Sequence, residues 1–322
     1  MSTSIQHLVD NIRSIIWIDR SKLEYILASL IAGGHVMLAD SHGVGKTSLA
    51  KALALSFRRT SGDTSSFNRI QCTVDLLPQD ILGYTRIDSS SMKMTFMKGP
   101  IFTRFLLCDE INLLPPKTQG SFFQAMEEGK VTVEGTTWDL PEQFFLISTM
   151  NLQGAHLFPL PLPQLDRFMI QISLGFPNEQ DEYEIIRTHG QSGSWNTFCP
   201  VADEADIVDW RSHVETMQLH PDVLSYIVAI VRSTRETGEL ATGASPRSGI
   251  KLSRLARALA FVRGEEYVTA DLVKELAIPT LAHRLESRDP ERPAARILSD
   301  ILETLPVDGH AKRLKRDKTG TV

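Results

Sequence analysis

The chain has 322 residues, 42% of them hydrophobic and 23% charged, values of one or two folded globular domains and not of a disordered or fibrous chain. A formal net charge of −5 argues against a nucleic-acid-binding body, and no apolar run approaches the roughly 18 residues of a membrane helix. Cys72, Cys108 and Cys199 are scattered and odd in number, which suits buried thiols in a reducing compartment rather than disulfides or a metal site. With no basic-then-apolar leader over Met1 to Asp10, a cytoplasmic location is expected.

In chain order, Leu23, Ile26, Leu27, Leu30 and Ile31 recur at helical spacing and stop at Gly33-Gly34. Val36 to Ala39 reads as a buried strand, and Asp40 to Thr47 follows as D-S-H-G-V-G-K-T. Ser48 to Phe57 reads as a helix, and Arg69 to Val74 as a second strand. Ser89 to Lys98 is a polar, Met-containing insertion. A third strand lies within Ile101 to Cys108, ahead of Asp109-Glu110, and Lys130 to Trp138 alternates around Glu134-Gly135 as a hairpin. Phe144 to Thr149 and Phe168 to Ile172 supply two more strands. Helical stretches between strands imply a parallel sheet with helices on its faces. After Gly175-Phe176-Pro177 the spacing predicts helices near 179–189, 204–217, 221–236, 246–263 and 269–286. The expected organisation is an α/β core over 1–177, a helical lid over 178–286 and a C-terminal extension over 287–322. Its basic end (Lys312, Arg313, Lys315, Arg316, Lys318) reads as a solvated tail or a binding arm.

Two stretches carry chemistry together. The first matches G-x-x-x-x-G-K-[ST] except at its first glycine, which is Asp40. Ser41, His42, Gly43, Val44 and Gly45 would wrap a phosphate chain, because a Cβ at the glycines would block close approach. Lys46 can reach the β and γ phosphates, Thr47 can hold Mg²⁺, and Ser48 continues into the helix whose N-terminus faces the anion. The Asp40 carboxylate is expected to point away from the phosphates, because like charges about 4 Å apart cost about 4 kcal/mol at an effective dielectric near 20. In the second stretch, Asp109 would sit on Mg²⁺ and Glu110 would polarise the attacking water, the strand-end turn letting neighbouring residues serve one site. Asn151 could bond that water or the γ-phosphate, or simply cap a strand end. Arg247 lies in the first turn of a helix begun by Ser245 and Pro246, an unfavourable place for a cation unless an external phosphate offsets it.

As a set these motifs resemble the AAA+ ATPases of the MoxR type, from about Ile31 to Leu285. Asp75 to Gly83, Gly99-Pro100-Ile101-Phe102, Asp109 to Asn112, Ala125-Met126-Glu127-Glu128 and Val131 to Gly135 follow the family's order. Thr149-Met150-Asn151 resembles its sensor 1, Gln164 to Phe168 its arginine-finger segment, and Gly243 to Arg247 its sensor 2. The resemblance implies an AAA+ P-loop core with a helical lid, ATP and Mg²⁺ as ligands, and Arg167 as a finger given to the adjacent subunit rather than a surface ion pair. It further implies a homo-hexameric ring and a chaperone-like role on a protein client, often alongside a von Willebrand factor A domain protein. Two other readings stay open: a nucleotide-dependent scaffold with little turnover, and the motor subunit of a magnesium-chelatase-like enzyme.

Overall fold

Five short apolar runs form one parallel sheet: β1 (Val36–Ala39), β2 (Phe67–Gln71), β3 (Phe105–Asp109), β4 (Phe145–Met150) and β5 (Ile170–Ile172). Their order is β5-β1-β4-β3-β2. The computed structural model describes residues 2–40, 45–58, 67–87, 92–151, 158–187 and 193–306, so Ser41, His42, Gly43, Val44 and the basic tail lie outside the described residues. Every residue of β3 and β4 is buried, as two-sided coverage of central parallel strands requires. Side chains alternate between two cores: Leu38, Leu107 and Ile147 face one, and Met37, Leu106 and Leu146 the other. Ala39 pairs with Met150 and Gln71 with Asp109, so the carboxyl ends of these strands finish on one edge.

The longer helices are α1 (Ser2–Arg13), α2 (Arg20–Ile31), α3 (Lys46–Leu55), α4 (Pro116–Glu128), α5 (Glu179–Arg187), α6 (Glu204–Thr216), α7 (Pro221–Glu236), α8 (Pro246–Arg263), α9 (Ala270–Leu281) and α10 (Ala294–Thr304). The bounds of α8 follow from its ends: Ser245 Oγ accepts from Ser248 N at 3.3 Å, Pro246 opens the first turn, and Gly264 closes it at φ 74°. No described helix is long and apolar enough to cross a membrane.

One core runs from the sheet through α1, α2 and α3 into the lid, taking in Leu27, Leu255, Leu276 and Leu298. Buried Glu24 reinforces it, accepting from Arg20 Nε at 3.0 Å and Arg263 Nε at 2.9 Å. Arg263 also pairs with Glu275 at 2.7 Å, and Tyr25 donates to the same carboxylate at 2.6 Å. The second core, around Phe102, Ile111 and Phe122, covers the opposite sheet face.

Four features depart from the sequence reading. Helix α1 was not foreseen. Phe57 leaves its helix for a two-residue strand paired with Ala202–Asp203, where its ring stacks on Phe105 at 5.6 Å. The polar insertion contributes a strand, Met94–Lys98, paired with Gly83–Ile87. Cys199 is exposed, whereas Cys72 and Cys108 are buried with sulfurs 3.2 Å apart. The hairpin Lys130–Val133 with Thr136–Asp139 forms as expected, both turn residues at positive φ (Glu134 50°, Gly135 79°). Helix α10 buries Ile297, Leu298 and Leu302.

Candidate active site

The chain leaves β1 at Asp40, which is 8% exposed. Its carboxylate accepts from Leu174 N at 2.7 Å, Gly175 N at 3.2 Å and Ser173 Oγ at 2.5 Å. It is thus spent on the chain leaving β5. Gly45 caps α3 at φ 82°, a left-handed conformation that favours glycine, with open space where a Cβ would stand. Among the described residues no side chain caps α3, and the first amides of such a helix end suit an anion. Lys46 Nζ donates back to Asp40 O at 3.2 Å, and Thr47 and Ser48 complete the first turn. Beside Gly45 lies a cavity of about 410 Å³, walled by Trp17, Ile18, Leu49, Gly175 and Phe176.

Asp109 ends β3, also 8% exposed. One hydroxyl ties the Asp109 carboxylate to the backbone of Glu110: Thr149 Oγ1 donates to Asp109 Oδ1 at 2.7 Å and accepts from Glu110 N at 2.8 Å. The turn expected at this strand end is made by Glu110 itself, at φ 61° and ψ 54°. A non-glycine residue held there stores strain of order 1–3 kcal/mol, a feature common at functional sites. Asn112 Nδ2 donates to Asn151 O at 2.7 Å, tying the end of β4 to the same turn. Arg69, on β2, pairs with Asp109 Oδ2 at 2.6 Å and with Gln71 Oε1 at 2.7 Å. The hydroxyl of Thr47 and the Asp109 carboxylate are the hard oxygen donors that Mg²⁺ takes, and the uncapped helix and open glycine suit phosphate.

Arg167 and Arg247 lie elsewhere. Arg167 precedes β5, at the sheet's amino edge, with its guanidinium 5.1 Å from the Phe123 ring. It meets Glu127 Oε2 at 3.2 Å, and Arg247, from the lid, meets Glu127 Oε1 at 3.0 Å. One carboxylate therefore holds both candidate arginines. Beneath them the buried Arg284 meets Asp166 Oδ1 at 2.8 Å and also donates to the Phe168 carbonyl. Lys251 donates to Asp166 O; burial pushes its ammonium down to about 8, and Arg284 pushes the same way.

The structure thus gathers Gly45, Lys46, Thr47, Ser48, Asp109, Glu110 and Asn151 at the carboxyl ends of β1, β3 and β4, and sets Arg167 and Arg247 apart. The sequence reading assigned no role to Thr149, Arg69, Glu127 or Arg284. Thr149 stood inside a quoted motif, two residues before Asn151. Glu127 also stood inside one, Ala125 to Glu128, whereas Arg69 and Arg284 had only their charge as a signal.

Residues 35–170 match the family described as "ATPase family associated with various cellular activities (AAA)", and residues 232–304 match "AAA lid domain". The uncharacterized protein YeaC of Bacillus subtilis is 38% identical over 80% of this chain and 79% of its own. Chaperone MoxR1 of Mycobacterium tuberculosis is 30% identical over 96% of this chain and 85% of its own. The crystal structure of a putative ATPase from Cytophaga hutchinsonii superposes with a TM-score of 0.85 at 28% identity, covering 95% of both chains.

Proposed function

The chain belongs to the MoxR-type AAA+ ATPases, and from that premise we propose that it works as a Mg-ATP-driven ring, with six copies expected, that remodels or activates a protein client. The observation that carries this reading is the separation of the two arginines from the phosphate-side residues. A strand of four to six residues spans about 13–20 Å, so the sheet's amino and carboxyl edges lie that far apart within one copy. Arg167 and Arg247 therefore complete the site of an adjoining copy. The name of MoxR1 supports the chaperone-like role, and the family resemblance supports a von Willebrand factor A domain protein as companion and the cytoplasm as location.

In that site the first amides of α3 and Lys46 would hold the β and γ phosphates. Thr47 and Asp109 would hold Mg²⁺, which when bound neutralises charge on the phosphates. Glu110 takes the proton of the attacking water, and Thr149 keeps Glu110 and Asp109 in fixed relation through its single hydroxyl. Asn151 orients the water. Arg167 of the adjoining copy stabilises the charge that develops on the transferred group. The cavity walled by Trp17, Leu49 and Phe176 takes the nucleoside.

The test is complementation in mixtures. Arg167→Ala alone should retain nucleotide affinity and lose about 10³ to 10⁵ in turnover. Mixed with Lys46→Ala subunits it should regain part of the rate, because some interfaces unite an intact finger with an intact phosphate loop. Mixed rings that form yet regain nothing at any ratio would exclude a shared site.

A further inference from the structure

We propose that the groove between α7 and α8 seats α5 of a second copy, so that each shared site is flanked by a helix-in-groove joint. This rests on the ring reading above. The groove holds about 540 Å³, with Ile227 and Val231 as its buried floor and Leu224, Val228 and Ile250 as its walls. Those walls are 45–54% exposed, so three large apolar side chains stand in solvent around one depression. Gly249 keeps it open, since a Cβ there would stand over the floor, 3.3 Å from Val231 Cγ2. Its charged lining is Arg232 and Arg235 on α7 against Glu236, which pairs with Arg232 at 3.3 Å and leaves Arg235 as the uncompensated cation of the lining.

Helix α5 has the complementary character. It is nine residues long and buries none of them. Isolated helices shorter than about 12–15 residues are marginal in water, so packing on another surface would stabilise it. Tyr183 (64% exposed) and Ile186 (67%) lie three residues apart on one face, with Phe176 (77%) just ahead of the helix. Glu179, Asp181, Glu182 and Glu184 outnumber the single Arg187. An acidic amphipathic helix fits a cationic apolar groove.

Position selects the second copy as the occupant. Phe176, Pro177 and Asn178, which lead into α5, wall the cavity beside Gly45. Pro246, Gly249 and Ile250 line the groove, and Arg247 lies between them in sequence. Bringing Arg247 of one copy to its neighbour's phosphates therefore brings the groove to the rim from which the neighbour's α5 projects. The chain's own basic end is a poorer occupant, because Lys312, Arg313, Lys315, Arg316 and Lys318 repeat the charge of the groove.

The experiment is cross-linking of the full chain carrying Ile186→Cys and Ile250→Cys with Cys199→Ser, which removes the exposed native thiol. Mild oxidation with Mg-ATP present should give a ladder of linked chains that needs both cysteines. A link within one chain, or a ladder formed by either cysteine alone, would overturn the proposal. Independently, Val228→Glu should raise the concentration for half-assembly about tenfold or more in sedimentation velocity, with the melting temperature unchanged. If Val228→Glu assembles like the parent and no ladder forms, while the Arg167 and Lys46 mixture regains turnover, the joint is wrong and the shared site stands. A parent that never associates would overturn both.

Discussion

The phosphate side and the arginine side keep their charges in opposite ways. On the phosphate side, fixed groups hold the carboxylates: backbone amides and a serine hydroxyl take Asp40, and one threonine hydroxyl aligns Asp109 with the Glu110 turn. The exception there is Arg69, whose pairing compensates the buried Asp109. On the arginine side, charges hold one another: Glu127 takes both Arg167 and Arg247, and Asp166 takes Arg284. The first arrangement holds Asp40 and Asp109 in place before any anion arrives. In the second, the Glu127 pairs are part-exposed ion pairs of small net strength, which suits groups that must leave one partner for another.

The strongest test of this contrast is Glu110→Gln. If the carboxylate is a preset base, turnover should fall by about 10² to 10⁴ while Mg-ATP still binds, read by steady-state kinetics and calorimetry. Parent-like hydrolysis would show that the turn at φ 61° serves no catalytic purpose.

His35 lies at the sheet's amino edge, on the arginine side. Its Nε2 donates to Met126 O at 3.1 Å, next to Glu127, and its Nδ1 accepts from Leu146 N at 3.1 Å on β4. Burial lowers its pKa from 6.5 to about 4, so the neutral ring contributes its full stability above pH 6.5. As pH falls towards 4 the unfolded chain takes the proton first and that stability is lost, roughly 2 to 3 kcal/mol by about pH 4.5. Urea midpoints across that range should show the slope, and His35→Gln should flatten it.

Asp40→Gly removes a buried acceptor from Leu174 N and Gly175 N, and should cost about 1–3 kcal/mol in urea unfolding. Because the carboxylate is spent on the β5 exit, nucleotide affinity should change less than about tenfold. A parent that binds no nucleotide until this change is made would favour the scaffold reading. Glu127→Gln should have the smallest effect, within about 1 kcal/mol of stability and less than about tenfold in turnover, since it removes only part-exposed ion pairs. A loss matching that of Arg167→Ala would place Glu127 in the reaction itself.

What could be read from the sequence was local. Val36 to Ala39 forms its strand, and 221–236 and 246–263 their helices, at the expected residues, because apolar period and end signals lie within each segment. Helix α1 carries such a signal too, in Ile5, Leu8, Val9 and Ile12. Phe57 could not be placed locally, since its strand pairs with residues near 202. The site divides in the same way. Lys46, Thr47, Asp109 and Glu110 announce themselves by neighbours in sequence. Arg69 meets Asp109 across 40 positions and Arg247 meets Glu127 across 120, distances that no local pattern encodes.

The core that crosses from the sheet into the lid also sets the mechanics of the molecule. Leu38 on β1 and Leu298 on α10 belong to one packed interior, sealed at its border by Glu24 and Arg263. Close-packed interiors transmit displacement instead of absorbing it. In the proposed ring, a protomer built this way would act as a stiff lever, delivering strain generated at its phosphates to its neighbours with little dissipated in a hinge of its own.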